Sequence, residues 1–178
     1  HKGLLPSLAT VLQQSALPVE LAAEVAPLTQ LLRRRTSRLR LELRRILPAL
    51  SRAELDSMVL KGPALAGTIY RNKIDRYYGD LDLLLKRQDV ERACDVLATI
   101  GYKPAMTVAR PEWYAQHHFH IQLKSPAGLM LELHWELTTP HDYIRFDLDG
   151  IRERSVTCEL EGQAASIMCP EDALLHLA

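Results

Sequence analysis

Apolar residues at 28, 31, 32, 39, 43, 46, 47 and 50 recur close to a helical period, which predicts one long amphipathic helix from Pro27 to Leu50, although Arg33, Arg34 and Arg35 interrupt the stripe. Ahead of it, residues 4–32 are rich in Leu and Ala but broken by Pro6, Pro18 and Pro27. Proline cannot donate an interior helical hydrogen bond, so short helices are expected there. After Pro48 the pattern changes. Ser51-Arg-Ala-Glu54 has the spacing of a capping box, yet it leads into Asp56-Ser-Met-Val-Leu-Lys61, a short apolar run ending at a glycine, which predicts a strand at 57–61. Gly62 makes the turn, and Pro63 suits the first position of a helix of about two turns over ALAGTIY.

Downstream, Asp80-Leu-Asp-Leu-Leu-Leu85 alternates as a strand, with Asp80 and Asp82 on one face and Leu81 and Leu83 on the other. Val90, Ala93, Cys94, Leu97 and Ile100 form the stripe of a core-packing helix over 88–100, ended by Gly101 at C′. Residues 118–124 and 129–137 flank Ser125-Pro-Ala-Gly128 and predict an antiparallel hairpin. In its second strand Met130, Glu132, His134 and Glu136 share a face, opposite Leu131, Leu133 and Trp135. The segment 154–168 is expected to add strands, and Pro170 opens a terminal helix.

This order implies an α+β fold, a mixed sheet flanked by helices with an N-terminal helical arm. The expected division is a helical region over 1–50 and a core over 51–178. Both ends read as cut, since the chain starts at His1 and stops in the first turns of a helix, so a longer natural chain is expected.

Composition narrows the class. The 178 residues are 47% hydrophobic and carry 22 basic and 22 acidic side chains, which excludes disordered, collagenous and coiled-coil chains. Three cysteines with no Cys-x-x-Cys pair argue against a disulfide framework or zinc knuckle. No apolar run approaches the ~18 residues of a membrane span, and the N-terminus lacks a secretion signal. A cytoplasmic protein with no membrane partner is expected. Basic residues dominate the first half and acidic ones the second. Seven arginines fall between 33 and 45, with Glu42 as the one acid among them. They read as a solvated helix face or, as an alternative, a contact for nucleic acid.

The candidate chemistry lies in the sheet. Two aspartates at i and i+2 on a strand point the same way with Cα atoms about 6.5–7 Å apart. Apolar neighbours on both sides put them in strand, where aspartate is disfavoured unless a cation offsets the repulsion. Magnesium suits such an oxygen donor set better than zinc. Upstream, the unpaired N–H groups that open the Gly62-Pro63 helix form a phosphate seat, to which Lys61 adds positive charge. His117, His118, His120 and His134 match no zinc spacing; His120 and His134 share the face of Glu132 and are candidate accessory residues. Trp113, Tyr114 and Trp135 read as packing aromatics.

Together, VLKGPALAGTIY (59–70), Arg76, YGDLDLLL (78–85), LELHWEL (131–137) and PEDALLHL (170–177) resemble the uncharacterised nucleotidyltransferase family of the DNA polymerase beta superfamily. The resemblance spans about residues 57–178. It implies Gly62 in the triphosphate turn, Asp80 and Asp82 as metal ligands, and Glu132 as a third carboxylate that binds the catalytic metal or acts as base. It further implies two Mg2+ ions, with Mn2+ as the substitute, and Lys61, Gly62, Pro63 and Arg76 against the nucleoside triphosphate. Arg76 reads equally as a loop arginine paired with Asp75 or Asp80. The implied activity moves a nucleoside monophosphate to a hydroxyl on a protein, small molecule or RNA. Here Pro63 stands where the superfamily has a small residue, and sixteen residues separate it from Asp80. The alternatives are a catalytically inactive relative that binds nucleotide or a partner, or a nucleic-acid-binding module built on the arginine helix.

Overall fold

Leu39, Leu43, Ile46, Leu47 and Leu50 form the buried stripe of helix α1 (Val19–Arg52), so its C-terminal half is part of the same core as the sheet. The computed structural model describes residues 19–70, 76–106, 114 and 116–177. The expected break at Pro27 does not occur: α1 runs through both Pro27 and Pro48. Each proline removes one backbone donor, but Leu47, Ala49 and Leu50 are buried around Pro48, and packing of that kind outweighs a local propensity. Near Pro27 the Thr29 hydroxyl donates to the Val25 carbonyl at 3.0 Å. The short helices expected before residue 19 lie outside the described residues.

Ser51 and Glu54 end a helix rather than begin one. The Glu54 N–H donates to Ser51 O and the Leu55 N–H to Leu50 O, at 2.9 and 3.0 Å, with Glu54 at φ 55. This is a Schellman termination with a non-glycine residue at C′, closed by Leu50 and Leu55 in one apolar cluster.

The chain then forms β1 (Ser57–Val59), α2 (Lys61–Thr68), β2 (Asp80–Leu85), α3 (Val90–Thr99), β3 (Lys103–Pro104), β4 (His120–Lys124), β5 (Met130–His134), α4 (Leu148–Glu153), β6 (Val156–Leu160), β7 (Gln163–Ile167) and α5 (Pro170–Leu177). Strand β1 is shorter than expected because Leu60 and Lys61 already turn into α2. The hairpin of β4 and β5, the C′ glycine at 101 with φ 94, and the late strands follow the sequence reading. Glu161 and Gly162, both at positive φ, make the two-residue turn between β6 and β7. The sequence reading had no counterpart for α4, which the Asp147 carboxylate caps by accepting from the Gly150 N–H at 3.1 Å.

The sheet has seven strands in the order β3-β4-β5-β2-β1-β7-β6. It is mixed: β2 pairs parallel with β5 and β1 parallel with β7, while the other neighbours are antiparallel. One face, carrying Val59, Leu81, Leu83, Leu85, Leu131 and Leu133, packs on α1 and α3. The other changes character along β2. Asp80 and Asp82 come first, then Leu84, which joins Met58, Leu60, Leu137, Ile151 and Met168 in a smaller cluster. That cluster covers one end of the second face; at the other end Asp80 is exposed while Asp82 is buried.

Candidate active site

Parallel pairing of β2 with β5 sets Asp82 opposite Glu132 and Asp80 opposite Met130. Antiparallel pairing of β5 with β4 adds Gln122 opposite Glu132 and His120 opposite His134. Since residues in register share a face, the pleat alone collects two aspartates, a glutamate, a glutamine and two histidines on one patch. Asp80 is exposed at its edge, whereas Asp82 is buried.

Contacts within the patch are specific. His134 Nε2 lies 3.1 Å from Asp82 Oδ1 and 3.3 Å from Glu132 Oε2. Gln122 donates to Glu132 Oε1 at 2.8 Å, and His120 Nε2 lies 3.9 Å from Glu132 Oε2. Lys61 Nζ sits 3.6 Å from Asp82 Oδ2. Lys61 reaches this position from a left-handed backbone at φ 45, a costly conformation for a side chain with a Cβ, fixed where the Leu60 N–H bonds Asp82 O at 2.9 Å.

The carboxylates differ in electrostatics. Burial pushes the Asp80 carboxyl above its ordinary range, and the charges of Asp82 and Glu132 push it further. Glu132 is held down at about 2, chiefly by its bond with His134, against the opposing effect of burial and with help from Gln122. Burial lowers His120. It also acts to lower His134, but the bonds to Asp82 and Glu132 prevail and raise it.

One ligand atom each from Asp82, Glu132 and His134 lies within 4.8 Å of the others, so this patch has the donors and spacing to hold a metal ion. Asp80 stands on the same face two residues along the strand. The oxygen donors suit a hard divalent cation, which would relieve the part of the Asp80 rise that comes, after burial, from the charges of Asp82 and Glu132.

The remaining expected residues fall as follows. Gly62 and Pro63 are buried in the first turn of α2. A Cβ at Gly62 would lie 2.6 Å from both Cβ and Cγ of Tyr78, so the close approach that requires glycine is to this tyrosine. Arg76 is partly buried, with Nε buried and unpartnered; it makes no ion pair with Asp80 among the described residues, and Asp75 lies outside them. His118 stacks on Tyr114 at 3.9 Å, and the rings of His120 and His134 lie 5.1 Å apart. Trp135 is buried in the core under the Arg87 guanidinium, and Trp113 lies outside the described residues.

Sequence reasoning missed Gln122 and His176. Gln122 becomes visible only through the register of β4 on β5. His176, on α5, is lowered to about 4 by burial and by the charges of Lys61 and His134, and no local signal points to it. The arginine helix is largely engaged within the molecule: Arg33 bonds the Tyr77 hydroxyl, Arg35 the Gly79 carbonyl, Arg40 both oxygens of Glu161, and Arg45 Glu42. Arg34, Arg38 and Arg44 are exposed.

A family model described as uncharacterised nucleotidyltransferase matches residues 1–178. Among solved structures, the lincomycin-bound lincosamide antibiotic adenylyltransferase LnuA is similar over 75% of this chain and 82% of its own, at 19% identity and a TM-score of 0.52. The solution structure of the antibiotic-resistance factor ANT(2'')-Ia is similar over 78% of this chain and 69% of its own, at 11% identity and a TM-score of 0.56. At these identities the likeness is one of fold. No curated protein matches.

Proposed function

Since this chain belongs to the uncharacterised nucleotidyltransferase family, we propose that it moves a nucleoside monophosphate from a nucleoside triphosphate to a hydroxyl acceptor, with Asp80, Asp82 and Glu132 as the catalytic carboxylates. The observation that supports this most is the register of β2 on β5, which sets Glu132 beside Asp82 and within the same face as the exposed Asp80. We assign the chemistry to residues 51–178, with residues 1–50 as the helical region that supports them.

In this reading Asp80, Asp82 and Glu132 would hold two Mg2+ ions, or Mn2+, which would supply positive charge for lowering the acceptor hydroxyl's pKa and neutralising the phosphates. The hydroxyl oxygen forms a bond to the α-phosphorus as the bond to the bridging oxygen breaks, pyrophosphate leaves, and the hydroxyl proton passes to solvent. A carboxylate held near 2 is a poor base, which favours Glu132 as a ligand over Glu132 as the proton acceptor. Lys61 turns from Asp82 to the phosphates. The start of α2 offers them the N–H groups of Gly62 and Ala64, since Pro63 has none. Arg76 neutralises further phosphate charge through a guanidinium that has an unpartnered Nε.

The acceptor is a hydroxyl of a small molecule, a protein or an RNA end, and the antibiotic-modifying enzymes of like fold put small hydroxylated molecules first among those to be tried. We place the reaction in the cytoplasm, in keeping with three cysteines that remain thiols; no helix among the described residues is long and apolar enough to cross a membrane. The test is incubation with each α-labelled nucleoside triphosphate, Mg2+ and acceptor panels of the three classes. Metal-dependent label transfer, absent in the Asp80→Ala plus Asp82→Ala double variant, is expected. Transfer that persists in the double variant overturns the assignment.

A further inference from the structure

Among the described residues, His134 alone contacts both Asp82 and Glu132. Its ring is 2% exposed, and the two ring nitrogens have opposite surroundings. Nε2 faces two carboxylate oxygens at 3.1 and 3.3 Å, while Nδ1 is buried with no hydrogen-bond partner.

That asymmetry decides where the proton sits. If Nε2 were bare, ready to bind a metal, the neutral ring would carry its proton on Nδ1, leaving a buried N–H unsatisfied at a cost of about 1–3 kcal/mol. The Nε2 lone pair would at the same time point at two anionic oxygens. Histidines that bind metals normally donate the other N–H to a carboxylate or carbonyl, and here no described residue receives it. With the proton on Nε2 both objections vanish, because the N–H is shared between the two carboxylates. His120 cannot replace it, its Nε2 being 3.9 Å from Glu132, and Gln122 reaches Glu132 alone.

We propose that His134 is a positioning residue and not a metal ligand: its Nε2–H bridges Asp82 and Glu132 and holds the two carboxylates together, against their repulsion, at a spacing that a cation can enter. This rests on the proposed function of the carboxylates and adds to it which neighbour sets their geometry. Asp80, the second oxygen of Asp82 and the lone pairs that Glu132 keeps beyond its bonds to His134 and Gln122 remain for the cations, with Lys61 the one basic side chain that contacts Asp82 Oδ2 among the described residues.

The direct test is long-range proton–nitrogen NMR of the histidine rings in the 15N-labelled full chain, with and without Mg2+, the His134 signals being assigned by their loss in His134→Gln. A protonated Nε2 is expected in both states, and a bare Nε2 in either overturns the proposal. Mg2+ affinity by calorimetry supplies the second arm. His134→Gln, whose amide nitrogen reaches the Nε2 position, is expected to bind within about threefold of wild type, and the shorter His134→Asn about tenfold or more weakly. An Asn variant that melts as wild type and binds Mg2+ equally overturns the positioning role alone. Wild-type protein that binds no Mg2+ overturns the proposed function beneath it.

Discussion

Gly62→Ala separates two reasons for a glycine at the start of α2. An added Cβ would stand 2.6 Å from both Cβ and Cγ of Tyr78 and 3.0 Å from Cδ1. Favourable carbon contacts lie at about 3.5–4.0 Å, so the deficit is roughly 1 Å. Tyr78 Cβ is tied to the backbone and cannot swing away, so the strain falls on the segment that leads through Gly79 into Asp80. Overpacking of this kind costs about 1–3 kcal/mol, offset by up to about 1 kcal/mol of improved helix propensity. The net expectation is a loss of ~1–2 kcal/mol, or a melting temperature lower by ~2–8 °C for a chain of this size. Denaturant and thermal melts read this without any nucleotide. In a double-mutant cycle Tyr78→Gly recovers most of the loss while Tyr78→Ala, which keeps its Cβ, recovers less. A Gly62→Ala protein with wild-type stability and weakened triphosphate binding refutes the packing argument and leaves phosphate approach as the reason for the glycine.

Three further outcomes are expected. Glu54→Gly relieves a left-handed residue at the C′ position of α1 and raises stability by about 0.5–1 kcal/mol in urea melts. Asp172→Ala strips the Arg154 guanidinium and the Cys169 thiol of the carboxylate they share near the start of α5, and is expected to lower the urea midpoint only slightly, because the guanidinium regains water. His176 sits at about 4 in the folded chain against 6.5 when unfolded, so the unfolded state takes up the proton first as pH falls. Stability is therefore full above 6.5 and declines towards 4. The shift corresponds to about 3 kcal/mol, reduced to about 1–2 for a ring that is only part-buried, and His176→Gln melts should show a shallower decline across that window.

The sequence carried the local part of the site. Alternation placed Asp80 with Asp82 and Glu132 with His134, because a strand's period of two is visible in any short stretch. What brings the two pairs together is the parallel register of β2 on β5, a contact between segments some fifty residues apart that no local pattern encodes. The errors have a related origin. Pro27 reads as a breaker by propensity, yet the helix runs through it as it does through Pro48, where burial of the helix face outweighs the missing donor. Ser51 and Glu54 have the spacing of a helix start, yet their backbone bonds close a helix end, and only the preceding apolar stripe distinguishes the two. Gly62 was legible as a turn, whereas its tyrosine neighbour was not, since that contact depends on how the loop before β2 returns to α2.

The most direct measurement of the central claim is a count of Mn2+ ions bound, by electron paramagnetic resonance, in the presence of a nucleoside triphosphate that cannot be cleaved between its α and β phosphates. Wild-type protein is predicted to bind two ions per chain, with Glu132→Gln weakened and the Asp80→Ala plus Asp82→Ala variant binding none above the nucleotide alone. Equal Mn2+ binding by the wild type and the double variant would contradict the account.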